Sequence, residues 1–158
     1  MNLRSKMNQR IVEIRRVFDA PRERVFAAWT RAEQLARWFG PKGFTVPSCE
    51  ADPRPGGVFR LVMRSPDGKD YRVRGSYREV VAPERLVIEC TADDAQGITR
   101  LEEVINVTFT ERGGKTTLTV HATASGPSAE AAAMLKGMSK GWAQTVDRLG
   151  AHLKQGQS

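Results

Sequence analysis

The chain has 158 residues, 40% of them hydrophobic and 27% charged, which suits one domain with a core that needs no disulfide or metal staple. No apolar run approaches the roughly 20 residues that cross a bilayer, and the start, MNLRSKMNQRIVEIRR, lacks the apolar stretch and cleavage site of a secretory signal. A cytoplasmic protein with no membrane partner is therefore expected, and its net charge of +7 makes the placement of charge more informative than the total.

Residues 10–18 alternate, with Val12, Ile14 and Phe18 on one side and Ile11, Glu13 and Arg15 on the other, the period-two pattern of a strand with one buried face. Ala20-Pro21 opens a helix, with proline at its first position, where a backbone donor would go unpaired in any case. Val25, Phe26 and Trp29 follow at helical spacing. A second short helix, 32–39, carries Leu35, Trp38 and Phe39 and is stopped by Gly40-Pro41.

From residue 44 to 124, strand-like runs are broken by Gly, Pro and Asp at 53–57, 65–70, 82–84, 92–99 and 112–115. Five more strands in an antiparallel meander are expected, giving a six- to seven-stranded sheet. The Pro66-Asp67-Gly68 and Gly113-Gly114 turns suit hairpins. Phe59, Leu61 and Met63 share a face opposite Arg60 and Arg64, while Tyr71, Val73 and Tyr77 oppose Arg72, Arg74 and Arg78. Leu86, Ile88 and Cys90 continue the apolar face, as do Ile105, Val107 and Phe109, and then Leu118, Val120 and Ala122; His121 falls outside.

Ser128 is a good N-cap, and Glu130 suits the first turn of a long final helix over 128–154. Stepping 100° per residue, Leu135, Met138, Trp142, Val146, Leu149 and Leu153 fall within about 80° of arc, and the helix would run about 40 Å, enough to cross the sheet. The whole, residues 1–158, reads as one domain with loose ends at about 1–8 and 155–158. Its class is α+β: a curved antiparallel sheet wrapped around a long C-terminal helix, the helix-grip arrangement.

These elements, in this order, resemble the START/birch-pollen-allergen (SRPBCC) superfamily, and within it the heat-shock-protein-90 ATPase activator homologue family. The segments that carry the resemblance are FDAPRERVFAAWTRAEQLARWFGPKGFT at 18–45, PGGVFRLVMRSPDG at 55–68, APERL at 82–86 and GMSKGWAQTVDRLGAHL at 137–153. The resemblance implies a hydrophobic cavity between sheet and helix, used elsewhere in the superfamily for lipids, polyketides and other apolar molecules. Some relatives are cyclases or hydrolases. In the eukaryotic co-chaperone a separate N-terminal domain accompanies this type of domain, and 158 residues leave no room for it, so chaperone activation is discounted and a chaperone partner is the weaker alternative.

The candidate ligand-binding residues are the large inward side chains Trp38, Phe59, Met63, Tyr71, Val73, Ile88, Val107, Met138 and Trp142, together with Tyr77; each has an equal claim to be ordinary core. Tyr71 and Tyr77 would supply hydroxyls to such a pocket. Gly137 and Gly141 interrupt the final helix at about 1 kcal/mol each relative to alanine. Gly141 borders the apolar arc and can leave room beneath it, whereas Gly137 lies far around the helix and suits a close contact with a loop or a second subunit, so a homodimer stays open.

No GxSxG, HExxH or Cys-His spacing is present, Cys49 and Cys90 read as small buried hydrophobes, and neither a cofactor nor a metal is expected. Glu103 is the one carboxylate that alternation turns inward, and its place at the sheet rim near Arg100 favours a structural role over a tuned base. No catalytic residue is assigned. The arginines at 60, 64, 72, 74 and 78 make a basic outer face, but interleaved exposed aromatics are missing and Glu50, Glu79 and Glu89 offset part of it, which argues against nucleic acid. The expected function is binding of a small hydrophobic or amphipathic ligand without catalysis. The alternatives are an enzyme acting on a polyketide-like or aromatic substrate and a protein-interaction module of co-chaperone type.

Overall fold

Alternation along the first strand, β1 (Asn8–Phe18), buries Val12 and half-buries Ile14 and Phe18 while Ile11 and Val17 stay exposed. The structure, a computed structural model, describes residues 8–127 and 129–155. Two short helices follow, α1 (Arg22–Thr30) and α2 (Ala32–Trp38). Pro21 sits one position earlier than the sequence suggests, with extended backbone just ahead of the first helical turn, and Phe39 falls just past the end of α2.

Six further strands form rather than five: β2 (Thr45–Ala51), β3 (Val58–Arg64), β4 (Asp70–Val81), β5 (Arg85–Asp93), β6 (Thr99–Arg112) and β7 (Lys115–Gly126). Five breaks bound six runs, and the first run, before 53, is β2 at the sheet edge. All pair antiparallel in a seven-stranded sheet of order β1-β7-β6-β5-β4-β3-β2. In β7 the rule of two is strict, with Thr116, Leu118, Val120, Ala122 and Ala124 buried in turn and their neighbours facing out.

The outer face is basic in sequence, but the register sets carboxylates beside several of its arginines. Glu50 lies opposite Arg60 and bonds it; Arg64 bonds Asp70 at 2.8 Å, Arg74 pairs with Asp93 at 2.9 Å, Arg78 with Glu89 at 3.0 Å and Arg85 with Glu79 at 3.5 Å. Such pairs, exposed on both sides except at the buried Asp93, add little stability, yet they offset the patch that a polyanion would need.

The expected single helix over 128–154 is broken in two, α3 (Ala129–Lys136) and α4 (Met138–Gln155), with Gly137 between them. Glycine is the poorest helix former apart from proline, so this is where a change of direction costs least. The expected cap, Ser128, lies outside the described residues. α3 packs on β1, β6 and β7, while α4 packs on β1 and reaches α1 and α2. The apolar stripe forms as expected: Leu135, Met138, Trp142, Val146, Leu149 and Leu153 are all buried. The close approach of α3 and β6 to the end of β7 depends on Gly126, where a Cβ would come 2.1 Å from the Arg100 carbonyl oxygen and 2.6 Å from the Ala131 Cβ. Among the described residues no helix is long and apolar enough to cross a membrane.

The end of α1 shows why two of its neighbours are aromatic. The last carbonyls of a helix have no partner within it. Here the Trp38 indole Nε1–H donates to the Ala28 oxygen at 3.0 Å and the Tyr77 hydroxyl donates to the Trp29 oxygen at 3.0 Å, while the Arg31 backbone N–H serves Ala27. Tyr77→Phe leaves the Trp29 carbonyl unpaired in the core and is expected to cost about 1–2 kcal/mol, read from the denaturation midpoint. Ligand affinity in the folded variant should stay unchanged, because the hydroxyl faces α1.

Candidate functional site

Helix and sheet do not close on each other everywhere. A cavity of about 400 Å³ lies between the α2–β2 connection, the strands from β3 to β6, and the α3–α4 junction. Beside it packs an aromatic cluster in which Trp29 meets Trp38 edge-on at 4.9 Å between ring centroids, Phe39 meets Phe59 at 5.9 Å and Phe59 meets Tyr77 at 5.6 Å. Filled and hollow regions therefore share one face of the sheet.

The boundary between them divides the residues singled out from the sequence. Met63, Tyr71, Val73, Met138 and Trp142 line the cavity. Trp38, Phe59, Tyr77, Ile88 and Val107 do not: each is fully buried in the packed region. Tyr77, expected to offer its hydroxyl to a ligand, spends it on Trp29, and burial pushes its phenol up beyond the usual range. Alternation identifies the face of a strand, whereas distance from the covering helix decides whether a residue packs or lines a void.

Several wall residues escaped the pattern. Phe39, Gly40, Pro41 and Phe44 come from the α2–β2 connection, which has no period to read. Gly40 takes a positive φ of 105°, and a Cβ there would lie 3.3 Å from the Met63 Sδ, so glycine both permits the turn and keeps the wall thin. Gly137, expected to face away, lines the cavity at the break between α3 and α4. Gly141 lines it too, and a Cβ there would meet the Pro41 Cγ at 3.6 Å, ordinary contact.

Arg148 fastens the loop side of the wall. Its Nη1 donates to the Gly40 oxygen at 2.9 Å and the Pro41 oxygen at 3.0 Å, carbonyls that face α4 across the chain. Truncation in Arg148→Ala removes these bonds and leaves the Lys42 N–H to Gln144 Oε1 bond at 3.2 Å to hold the loop to α4; we expect a loss of about 1–3 kcal/mol and weaker ligand binding, with Arg148→Lys recovering only part, since a flexible ammonium lacks the planar group that holds Nη1 between the carbonyls. Equal affinity in wild type and Arg148→Ala, measured by calorimetry, would separate this loop from binding.

The polar content of the wall is small. Thr145 turns its hydroxyl to the Gly141 oxygen at 2.7 Å, and the Cys90 thiol is pushed well above its ordinary value by burial. The second thiol, Cys49, is raised to about 11, also by burial, so neither cysteine is poised as a nucleophile. The exception is Glu103, whose carboxylate faces the cavity and accepts a hydrogen bond from the Trp142 Nε1–H at 3.2 Å. Burial lifts its acid to about 7, and the indole hydrogen bond pulls weakly the other way. It borders the hollow and keeps some accessible surface. The expected neighbour, Arg100, does not compensate it: Arg100 bonds Asp94 at 2.7 Å. Among the described residues no cluster of His, Cys, Asp and Glu suits a metal ion.

Residues 19–154 match the family described as activator of Hsp90 ATPase homolog 1-like protein. The chain belongs to that family. Crystal structures similar to this AHSA1-like chain include a protein from Nitrosomonas europaea, 25% identical over 93% of this chain and 96% of the other with a TM-score of 0.77. Another, from Chromobacterium violaceum, is 26% identical over 90% of this chain and 96% of the other, with a TM-score of 0.78. The AHSA1 protein from Silicibacter pomeroyi, at 22% identity over 94% of this chain and 100% of that one, shares the fold with a TM-score of 0.76. No curated protein matches this AHSA1-like chain. The helix-grip architecture and the superfamily read from the sequence are thus those of the structure and its relatives.

Proposed function

We propose that this AHSA1-like protein binds a small hydrophobic or amphipathic molecule in the cavity between β3–β6 and the α3–α4 junction. The observation that carries this reading is a hollow of about 400 Å³, walled mainly by apolar and aromatic side chains, beside a closely packed aromatic cluster. That size and lining are typical of small-molecule sites. The described wall pairs Glu103 with an indole rather than with a second acid or base, which supports binding over acid–base turnover. Its helix-grip relatives supply a frame compatible with this role.

Native mass spectrometry of the protein purified from its own host tests the reading directly. A mass increment that is released on denaturation and identified by extraction supports it. Repeated absence of any increment, together with no uptake from a panel of apolar molecules, removes it. Trp142→Phe is a useful second probe: it keeps the ring but loses the indole donor, so affinity for a bound molecule should fall several-fold while the fold persists.

A further inference from the structure

Glu103 is a charged group in the wrong place for a protein that binds only grease. A carboxylate inside an apolar wall normally has a cation or several donors beside it, since an ion left uncompensated in such surroundings is costly. Here one oxygen, Oε2, takes the Trp142 N–H, and the other has no partner among the described residues. The described wall contains no lysine, arginine or histidine. Arg100, three positions before it on the same strand, is engaged by Asp94, and Arg148 is turned to the carbonyls of Gly40 and Pro41.

The rest of the wall narrows the chemistry further. Phe39, Phe44, Tyr71 and Trp142 all line the cavity, with Phe39 and Trp142 edge-on at 6.1 Å and Phe44 and Tyr71 tilted at 6.3 Å between centroids. Aromatic faces attract organic cations, and attract them more strongly away from water. A neutral hydroxyl would satisfy one oxygen of Glu103 but leave its charge; an anion would meet repulsion. An ammonium supplies the charge, up to three donors and a surface that aromatic rings accept.

We propose that the ligand is an amphipathic amine, bound as its ammonium ion with the nitrogen on the unpartnered oxygen of Glu103 and the apolar body against the aromatic wall. This rests on the reading of the cavity as a ligand site and adds the chemical class of the ligand. The proton stays on the nitrogen, and no covalent step is involved. Because Glu103 changes charge near neutrality, the preference for an amine is set by pH. Among the described residues the other titratable groups in the wall are the Tyr71 phenol and the Cys90 thiol, from β4 and β5; α3, α4 and the α2–β2 connection contribute none.

Calorimetric titration with octylamine, octanol and octanoate, which share an apolar chain and differ in head group, tests the inference. At about pH 8, octylamine should bind at least about tenfold more tightly than octanol, with octanoate weakest. That advantage should shrink in Glu103→Gln, and in wild type as pH falls to about 5.5 and Glu103 takes up its proton. The wild-type pH series decides the matter even if the variant fails to fold. Equal affinity of all three, or an amine preference indifferent to both pH and the variant, overturns the amine assignment while leaving the cavity a binding site. Failure of all three to bind overturns both.

Discussion

Replacing Trp38 with alanine is expected to cost about 3–5 kcal/mol, enough to leave much of the protein unfolded at ambient temperature. Three effects add. The indole is fully buried, so its removal leaves a void lined by Trp29 and Phe39, which its ring meets at 4.9 and 5.5 Å between centroids. The Ala28 carbonyl loses the donor that ends α1. And α2, only Ala32–Trp38, buries just Leu35 and Trp38, so it loses half of what holds it down. Denaturant unfolding followed by far-ultraviolet circular dichroism measures the change; a cost below about 1 kcal/mol would mean that the aromatic cluster is not what fixes α2.

The second large effect depends on pH. Glu103 titrates near 7 in the folded chain, against about 4.3 for an unperturbed glutamate, so folding takes up a proton between these values. An acid raised on folding favours the folded state while it is protonated. Its contribution is least unfavourable below about pH 4 and worsens as pH rises through the window up to about 7. Glu103→Gln keeps an oxygen to accept the Trp142 N–H but has nothing to ionise. Between about pH 4 and pH 8 the ligand-free variant should therefore gain on the order of 2–3 kcal/mol of stability relative to wild type. Other carboxylates cancel in the difference. Parallel stability–pH curves for the two proteins would show that the carboxyl is better solvated than its surroundings suggest. Saturating octylamine should reduce the difference, since the ammonium relieves the same unfavourable charge.

Much of the frame was legible because side-chain alternation and helical spacing are properties of the chain itself. β1, β3, β4 and β7 followed their alternation, and the stripe from Leu135 to Leu153 fell on the covered side of the final helices. What spacing could not show was depth. Phe59 and Met63 share one face of one strand, yet Phe59 is packed and Met63 lines the hollow. Nor could it show the path of the α2–β2 connection, whose Phe39 and Phe44 become wall without any periodic signal. Gly137 was legible as costly to a helix but not as the place where the helix turns. For Glu103 the sequence did signal something: a lone inward carboxylate on an otherwise apolar face. Reading Arg100 as its partner failed because Asp94, in the turn after β5, lies within reach of the guanidinium.

The sheet order has a consequence for how the chain is made. From β2 to β7 every neighbour in space is the neighbour in sequence, so these strands can pair as successive hairpins while the polypeptide is still growing. β1 is the exception: Asn8 pairs with Gly126, and the contact between them spans 118 positions. The earliest of these strands thus waits for the last, and the concave face is covered only in part, by α1 and α2, until α3 and α4 follow. Assembly of this protein is accordingly finished by a single late docking event, and until then its greasiest surface is open to whatever else is nearby.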